Sequence, residues 1–170
     1  MAEEHKEHGG NGENGGNGGA AGNGAGGGQQ FALELIYVKD MSFEVPNAPE
    51  VFTQNQAETQ VNMNLQNAHK KVGDDSYEVT LTISLHATLE DRTMFMVELE
   101  QAGVFRISGF PDEAMRQLIS ATCPSTLFPY ARESVSSMIA RGGFPAILLQ
   151  PINFDALFAQ AEAERGRADA

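Results

Sequence analysis

An α+β domain, with its strands first and its helices after, is the fold class this sequence predicts, and three observations carry the prediction. Between Phe31 and Ile107 apolar residues recur at every second position, the period of half-buried strands. Beyond Ile107 the period lengthens to that of helices. Before Phe31 there is no apolar period at all: Gly9 to Gly28 is almost wholly Gly, Asn and Ala. Ordering such a stretch would cost about 1 to 2 kcal/mol per residue in backbone entropy with no apolar burial to offset it. Residues 1–30 are therefore expected to be a disordered tail, 31–160 a single domain, and 161–170 a flexible polar end.

The first strand puts Phe31, Leu33, Leu35, Tyr37, Met41, Phe43 and Val45 on one parity, with Glu34, Asp40, Ser42 and Glu44 on the other. Lys39 breaks the alternation, and Ile36 and Val38 add apolar groups to the second face. The next strand alternates Val61, Met63 and Leu65 with Asn62, Asn64 and Gln66. In the third, Val79, Leu81, Ile83, Leu85, Ala87 and Leu89 oppose Thr80, Thr82, Ser84, His86 and Thr88. The fourth sets Phe95, Val97 and Leu99 against Met94, Met96, Glu98 and Glu100. Four strands with one apolar face each predict an antiparallel sheet covered on one side. Gly73-Asp74-Asp75 and Glu90-Asp91-Arg92 are short enough for hairpins, whereas Pro46, Asn47 and Pro49 open a crossing loop of roughly ten residues that still carries Val51 and Phe52.

Two or three helices follow. Pro111-Asp112-Glu113 is a helix start, with proline in the first turn and acids at the positive end of the dipole, and Met115, Leu118, Ile119 and Thr122 line one face. A second helix is expected from about Ser125, with Pro129 in its first turn and Arg141-Gly142-Gly143 closing it. Phe144 to Ile152 is apolar but bracketed by Pro145 and Pro151, which excludes a regular helix. Asn153 then caps a last helix with Phe154, Leu157, Phe158 and Ala161 on one stripe, fading near Arg165.

The formal charge is −12, of which residues 1–30 supply −3 and the remainder −9. Basic residues are sparse and scattered, so no phosphate-neutralising stripe exists and nucleic acid is not an expected partner. The start of the chain has no apolar run after a basic segment, and no later stretch approaches the roughly 20 apolar residues that span a bilayer. A soluble chain without membrane insertion is expected. Cys123 is the only cysteine, which excludes an intrachain disulfide and fits a reducing compartment.

Chemistry is sparse. Cys123, beside Pro124 and without a histidine near it in sequence, is expected to be a buried structural thiol. His69 and His86 lie in separate strands and no histidine pair has ligand spacing, so no metal is expected. Gly12 to Gly28 lacks the strand, helix and lysine of a phosphate loop, so no nucleotide or other cofactor is expected. What stands out is apolar content in irregular segments: Val51, Phe52, Phe144, Ile147, Leu148, Leu149 and Ile152. Part of this set packs down over the sheet; the remainder points to an interface with another copy or with apolar partners.

YVKDMSFEVPNAPEVF at Tyr37 to Phe52, CPSTLFPYARESVSSMIAR at Cys123 to Arg141, and GGFPAILLQPINFDALF to Phe158 resemble the SecB protein-export chaperone family in order and spacing. The resemblance covers nearly all of residues 31–160. It implies an α+β protomer assembled as a dimer of dimers, a homotetramer in the cytoplasm that is not an enzyme, with grooves that hold unfolded precursor proteins without ATP and deliver them to the translocase ATPase SecA. Residue by residue, it implies a SecA-docking surface at Asp40, Glu44, Met96 and Glu98. It implies subunit packing at Val97, Leu99 and Gln101, the last being the polar member of an apolar row. Client grooves are implied at Phe43, Val51 and Phe52 in the crossing segment and at Leu149, Phe154, Leu157 and Phe158 at the last helix. Many members carry a tryptophan in the crossing loop, and this chain has none. Two other classes fit a bare α+β reading: a small-molecule-binding domain, which needs convergent polar groups in an enclosed pocket, and a structural oligomer whose apolar loops are consumed by subunit contacts.

Overall fold

The computed structural model describes residues 28–53, 55 and 58–168; most of the expected tail lies outside the described residues. Four antiparallel strands, β1 (Gln30–Glu44), β2 (Gln60–Lys71), β3 (Ser76–Leu89) and β4 (Arg92–Ser108), stand in the spatial order β1-β4-β3-β2. β2, β3 and β4 form a meander, and β1 lies beyond β4. The chain between β1 and β2 must therefore cross from one edge of the sheet to the other. This is the proline-bearing stretch, and its 3-10 turn Glu50–Thr53 is pinned by the fully buried Val51. Both expected hairpins form, with Lys71 opposite Tyr77 and Leu89 opposite Arg92.

The first strand departs from its expected parity. Register shifts between Leu33 and Leu35 and between Val38 and Asp40 mark bulges. Each bulge adds a residue on one strand only and so reverses which side chains share a face. Phe31, Leu33, Ile36, Val38, Met41 and Phe43 consequently lie opposite Ile107, Phe105, Gly103, Gln101, Leu99 and Val97, on the helix-covered face. Leu35 and Tyr37 move to the open face with Asp40, Ser42 and Glu44. Lys39, which breaks the alternation in the sequence, is the extra residue of the second bulge.

Helix α1 (Asp112–Gln117) continues through a π-helical stretch, Leu118–Thr122, into α2 (Cys123–Arg141), so the expected break before Ser125 does not occur. Proline in a helix loses its own N–H bond and presses on the carbonyl four residues earlier, here Ser120, and the wider π turns lie where that room is needed. Pro129 sits inside α2, not in its first turn; Ser125, four residues before it, is exposed, so water can take its carbonyl. Leu127, Phe128, Ala131, Val135, Met138 and Ile139 of α2 are buried and pack with the buried residues of β3 and β4 in one core. Leu127 comes so near the sheet that a Cβ on Gly103 would lie 2.9 Å from its Cδ2. Cys123 is buried within this core, and desolvation pushes its thiol up to about 12. A thiol so placed stays protonated and inert.

Helix α3 (Phe154–Ala168) is capped as expected, Asn153 Oδ1 accepting the Ala156 N–H at 2.9 Å. It does not end near Arg165, and the stretch from 161 is helical through Ala168 where a flexible end was expected. Ala, Glu and Arg are good helix formers, Arg165 pairs with Glu162 at 2.8 Å one turn back, and Arg165 and Arg167 meet the negative end of the dipole. Between α2 and α3 the proline-bracketed apolar segment has no regular structure, as its sequence requires.

Candidate functional site

Strand register sorts the open face into rows. Glu44 lies opposite Met96, which lies opposite His86; Ser42 opposite Glu98 and Ser84; Asp40 opposite Glu100 and Thr82. The sequence thus brings Asp40, Glu44, Met96 and Glu98 onto one surface, and the structure adds Glu100, directly across from Asp40. Asp40 and Glu44 stand roughly 13 Å apart along one strand face. Among the described residues, none of these four carboxylates makes an ion pair within the chain. Like charges directly opposite across strands repel, so the surface is poised for a cationic partner. Part of it forms a shallow cleft of about 460 Å³, lined by Glu44, Asn62, Met63, His86, Met96 and Glu98 among others.

Two rows further along the same face is a carboxylate of another kind. Glu78 of β3 is buried and accepts from the Tyr37 hydroxyl, while Lys39 Nζ and Lys70 Nζ each lie 3.0 Å from its Oε2. The hydrogen bonds from Tyr37 and Lys39 hold its acid down from an ordinary 4.5 to about 2, and the Tyr37 phenol is raised in return. This cluster ties β1 to β3 and β2 across β4, where the small Ala102 stands opposite Tyr37. The single-strand patterns of the sequence did not disclose it, because its members come from three strands.

The other face carries the apolar surfaces. Phe43, Phe52 and Phe95 converge on Phe144, at centroid separations of 6.5, 5.2 and 4.8 Å. A Cβ on Gly142 would overlap the Phe43 ring, so glycine there lets the end of β1 approach the end of α2. Beside this cluster is a depression of about 210 Å³ lined by Thr59, Val61, Phe95, Phe144, Pro145 and Ile147. A second cleft, of about 480 Å³, runs between β2, α1 and α3 and takes its apolar walls from Leu65, Met115, Ile119, Phe154, Leu157 and Phe158. Phe144, Leu65 and Met115 were not among the groove residues expected; the Phe-Pro pair at Phe144 was the one available signal.

Three of the expected groove residues have little free surface within the protomer. Val51, Leu149 and Phe154 are core side chains with almost no free surface, Phe154 packing edge-on against Phe128. They support the groove walls, while Phe52 and Leu157 (43% and 46% exposed), with the half-buried Phe43 and Phe158, supply the reachable surface. Val97, Leu99 and Gln101 likewise have no surface to give a second subunit directly: they are 0, 0 and 2% exposed within one protomer, on the face covered by α2. Any effect on assembly passes through the elements above them. Gln101 has a local task, its Nε2 donating at 2.8 Å to the Tyr37 carbonyl beside the second bulge. A part-buried carbonyl next to the bulge thereby gains a donor.

No group of three or more His, Cys, Asp or Glu placed to hold a metal ion occurs among the described residues, and no helix among them is long and apolar enough to cross a membrane. An acidic sheet face backed by open apolar clefts defines a binding scaffold. The family described as preprotein translocase subunit SecB matches residues 25–165, and the chain belongs to that family. It is 50% identical over 131 residues to the protein-export protein SecB of Hahella chejuensis, covering 77% of this chain and 82% of the relative. To the protein of the same name from Chromobacterium violaceum it is 49% identical over 138 residues, covering 81% and 91%. Among solved structures it resembles a SecB-like chaperone of Mycobacterium tuberculosis in complex with a ChAD peptide from an antitoxin. There the TM-score is 0.60 and the identity 17%, over 72% of this chain and 90% of that one, which is a likeness of fold. Family membership makes the chain a protein-export chaperone and not an enzyme.

Proposed function

We propose that the chain holds unfolded precursor proteins against the apolar surfaces around Phe43, Phe52, Phe144, Leu157 and Phe158, without ATP, and docks SecA through Asp40, Glu44, Met96 and Glu98. The observation that carries this reading is the separation of the two surfaces onto opposite faces of one sheet, which leaves a client and a basic partner free to bind at once. Charge attracts the one and apolar burial the other. A cytoplasmic tetramer, a dimer of dimers, completes the reading. It is supported by the edge strand β1, whose outer side pairs with no strand among the described residues while Phe31, Leu33, Leu35, Val38 and Met41 stand exposed along it. A reduced, unfolded client tests the function: its refolding should slow in proportion to the amount of this protein, with or without ATP. Unchanged refolding kinetics at stoichiometric excess would refute the holding activity.

A further inference from the structure

We propose that Glu78 is a positioning residue for the acidic docking face: by gathering Lys39 and Lys70 onto its own carboxylate it keeps Lys39 from forming an ion pair with Asp40 or Glu100, which stay available to a basic partner. The inference rests on the docking reading above and names a device within it. Lys39 is the extra residue of the second bulge, next in sequence to Asp40, and its reach to Glu78 places its side chain on the open face. A lysine there has two choices. It can turn toward Asp40 and Glu100, which face each other across β1 and β4, or toward Glu78, two strands away. Glu78 prevails because it is buried and pre-organised: Tyr37 fills one oxygen, and Lys70, directly opposite on β2, shares the other with Lys39. A desolvated carboxylate with fixed donors binds a cation better than a solvated one does. The remaining cation known to pair on this face, Arg106, is engaged by Glu34 at 2.6 Å, away from the acidic rows. Glu100 still acts on Lys39 through space, but the lysine's ion pair is with Glu78, so the carboxylates of the docking face keep no cation of their own in contact. Without Glu78, Lys39 would be left beside Asp40 in sequence and in the field of Glu100, and the face would quench itself.

The test is a double-mutant cycle on the affinity for purified SecA at about 0.1 M salt, with Glu78→Gln, Lys39→Met and the pair, each checked for secondary structure and assembly. Glu78→Gln should weaken binding about three- to fivefold, the size of an exposed ion pair that the partner must displace. Lys39→Met should stay within about twofold of the parent, and Glu78→Gln should then cost nothing more in the Lys39→Met background. An equal loss in both backgrounds would mean that Glu78 acts by its own charge or by structure alone, and the proposal is then wrong. Parent-like binding of Glu78→Gln also overturns it. Should Glu78→Gln not fold, Lys39→Met decides: a clear tightening shows that Lys39 already quenches the face and overturns the proposal, whereas binding within about twofold supports it. Asp40→Lys run alongside separates the two levels. If that reversal leaves binding intact, the docking reading fails; if it weakens binding while Glu78→Gln does not, only the role of Glu78 fails.

Discussion

Replacing Phe52 and Leu157 together with serine is expected to weaken client capture while leaving the protomer folded. Their exposures of 43% and 46% leave roughly 80 to 90 Å² on each for a client to cover. At about 25 cal/mol per Å² that is about 2 kcal/mol apiece, and ordering the client segment removes roughly half. The combined loss is then about 2 kcal/mol, on the order of thirtyfold in Kd. Leu149→Ser is the contrasting change: at 6% exposure its side chain belongs to the core, and truncating it should cost about 2 to 4 kcal/mol of stability. Equilibrium binding of a reduced, unfolded client, followed in parallel with urea melts, separates the two effects. A Phe52→Ser/Leu157→Ser variant that melts like the parent and holds the client as tightly would refute the assignment of these surfaces.

Other expectations follow from the opposite face. SecA docking should weaken as salt rises, because exposed charges are screened over about 10 Å at 0.1 M; Asp40→Lys, Glu44→Lys and Glu98→Lys should each impair it without altering the urea midpoint, and binding indifferent to both would count against the docking surface. Acid should destabilise the protomer through Glu78. Its folded-state value is depressed from 4.5 to about 2, so its contribution, at most about 3 kcal/mol, is fully present above pH ~4.5 and lost as pH falls toward ~2. Glu78→Gln should flatten the urea midpoint across that window, and an unchanged acid limb would show that other carboxylates govern it. Gln101→Leu should remove the donor to the part-buried Tyr37 carbonyl, costing about 1 kcal/mol in urea unfolding despite the more apolar side chain; a neutral or stabilised variant would show that the bulge needs no such donor.

The meander β2-β3-β4 was legible in the sequence because its strands alternate through most of their length, and the α3 cap because Asn153 precedes a clear stripe; the exception is Met94, expected on the face opposite Phe95 but the extra residue where the register shifts between Ala87 and Thr88, and fully buried beside Phe95 in the core. β1 was harder. Its two bulges reverse parity without any Gly or Pro to announce them, so Leu35 and Tyr37 were expected among the core residues and stand on the other face. The π-helical junction was hidden for a related reason: Pro124 reads as a boundary, and only the widened turns before it let the helix run on. Asp40, Glu44, Met96 and Glu98 did come together, since they lie in regular stretches beyond the second bulge. The groove was located only in outline. Chain position shows that Val51, Leu149 and Phe154 are apolar and in irregular segments or at helix starts, but whether such a side chain faces inward depends on where the crossing loop and α3 dock. Phe144 gathers three phenylalanines from distant segments, and Glu78 gathers donors from two other strands; neither grouping has any periodicity to reveal it.

Site-specific photo-crosslinking reads out which face of the sheet holds the client. A photoreactive residue placed singly at Phe52, Leu157 or Thr82, in the presence of one unfolded precursor, reports which face the client touches. Strong crosslinks are expected from Phe52 and Leu157 that disappear once the client has folded, and none above background from Thr82 on the acidic face. Crosslinks chiefly from Thr82, or crosslinks to the folded client as strong as to the unfolded one, would contradict this expectation.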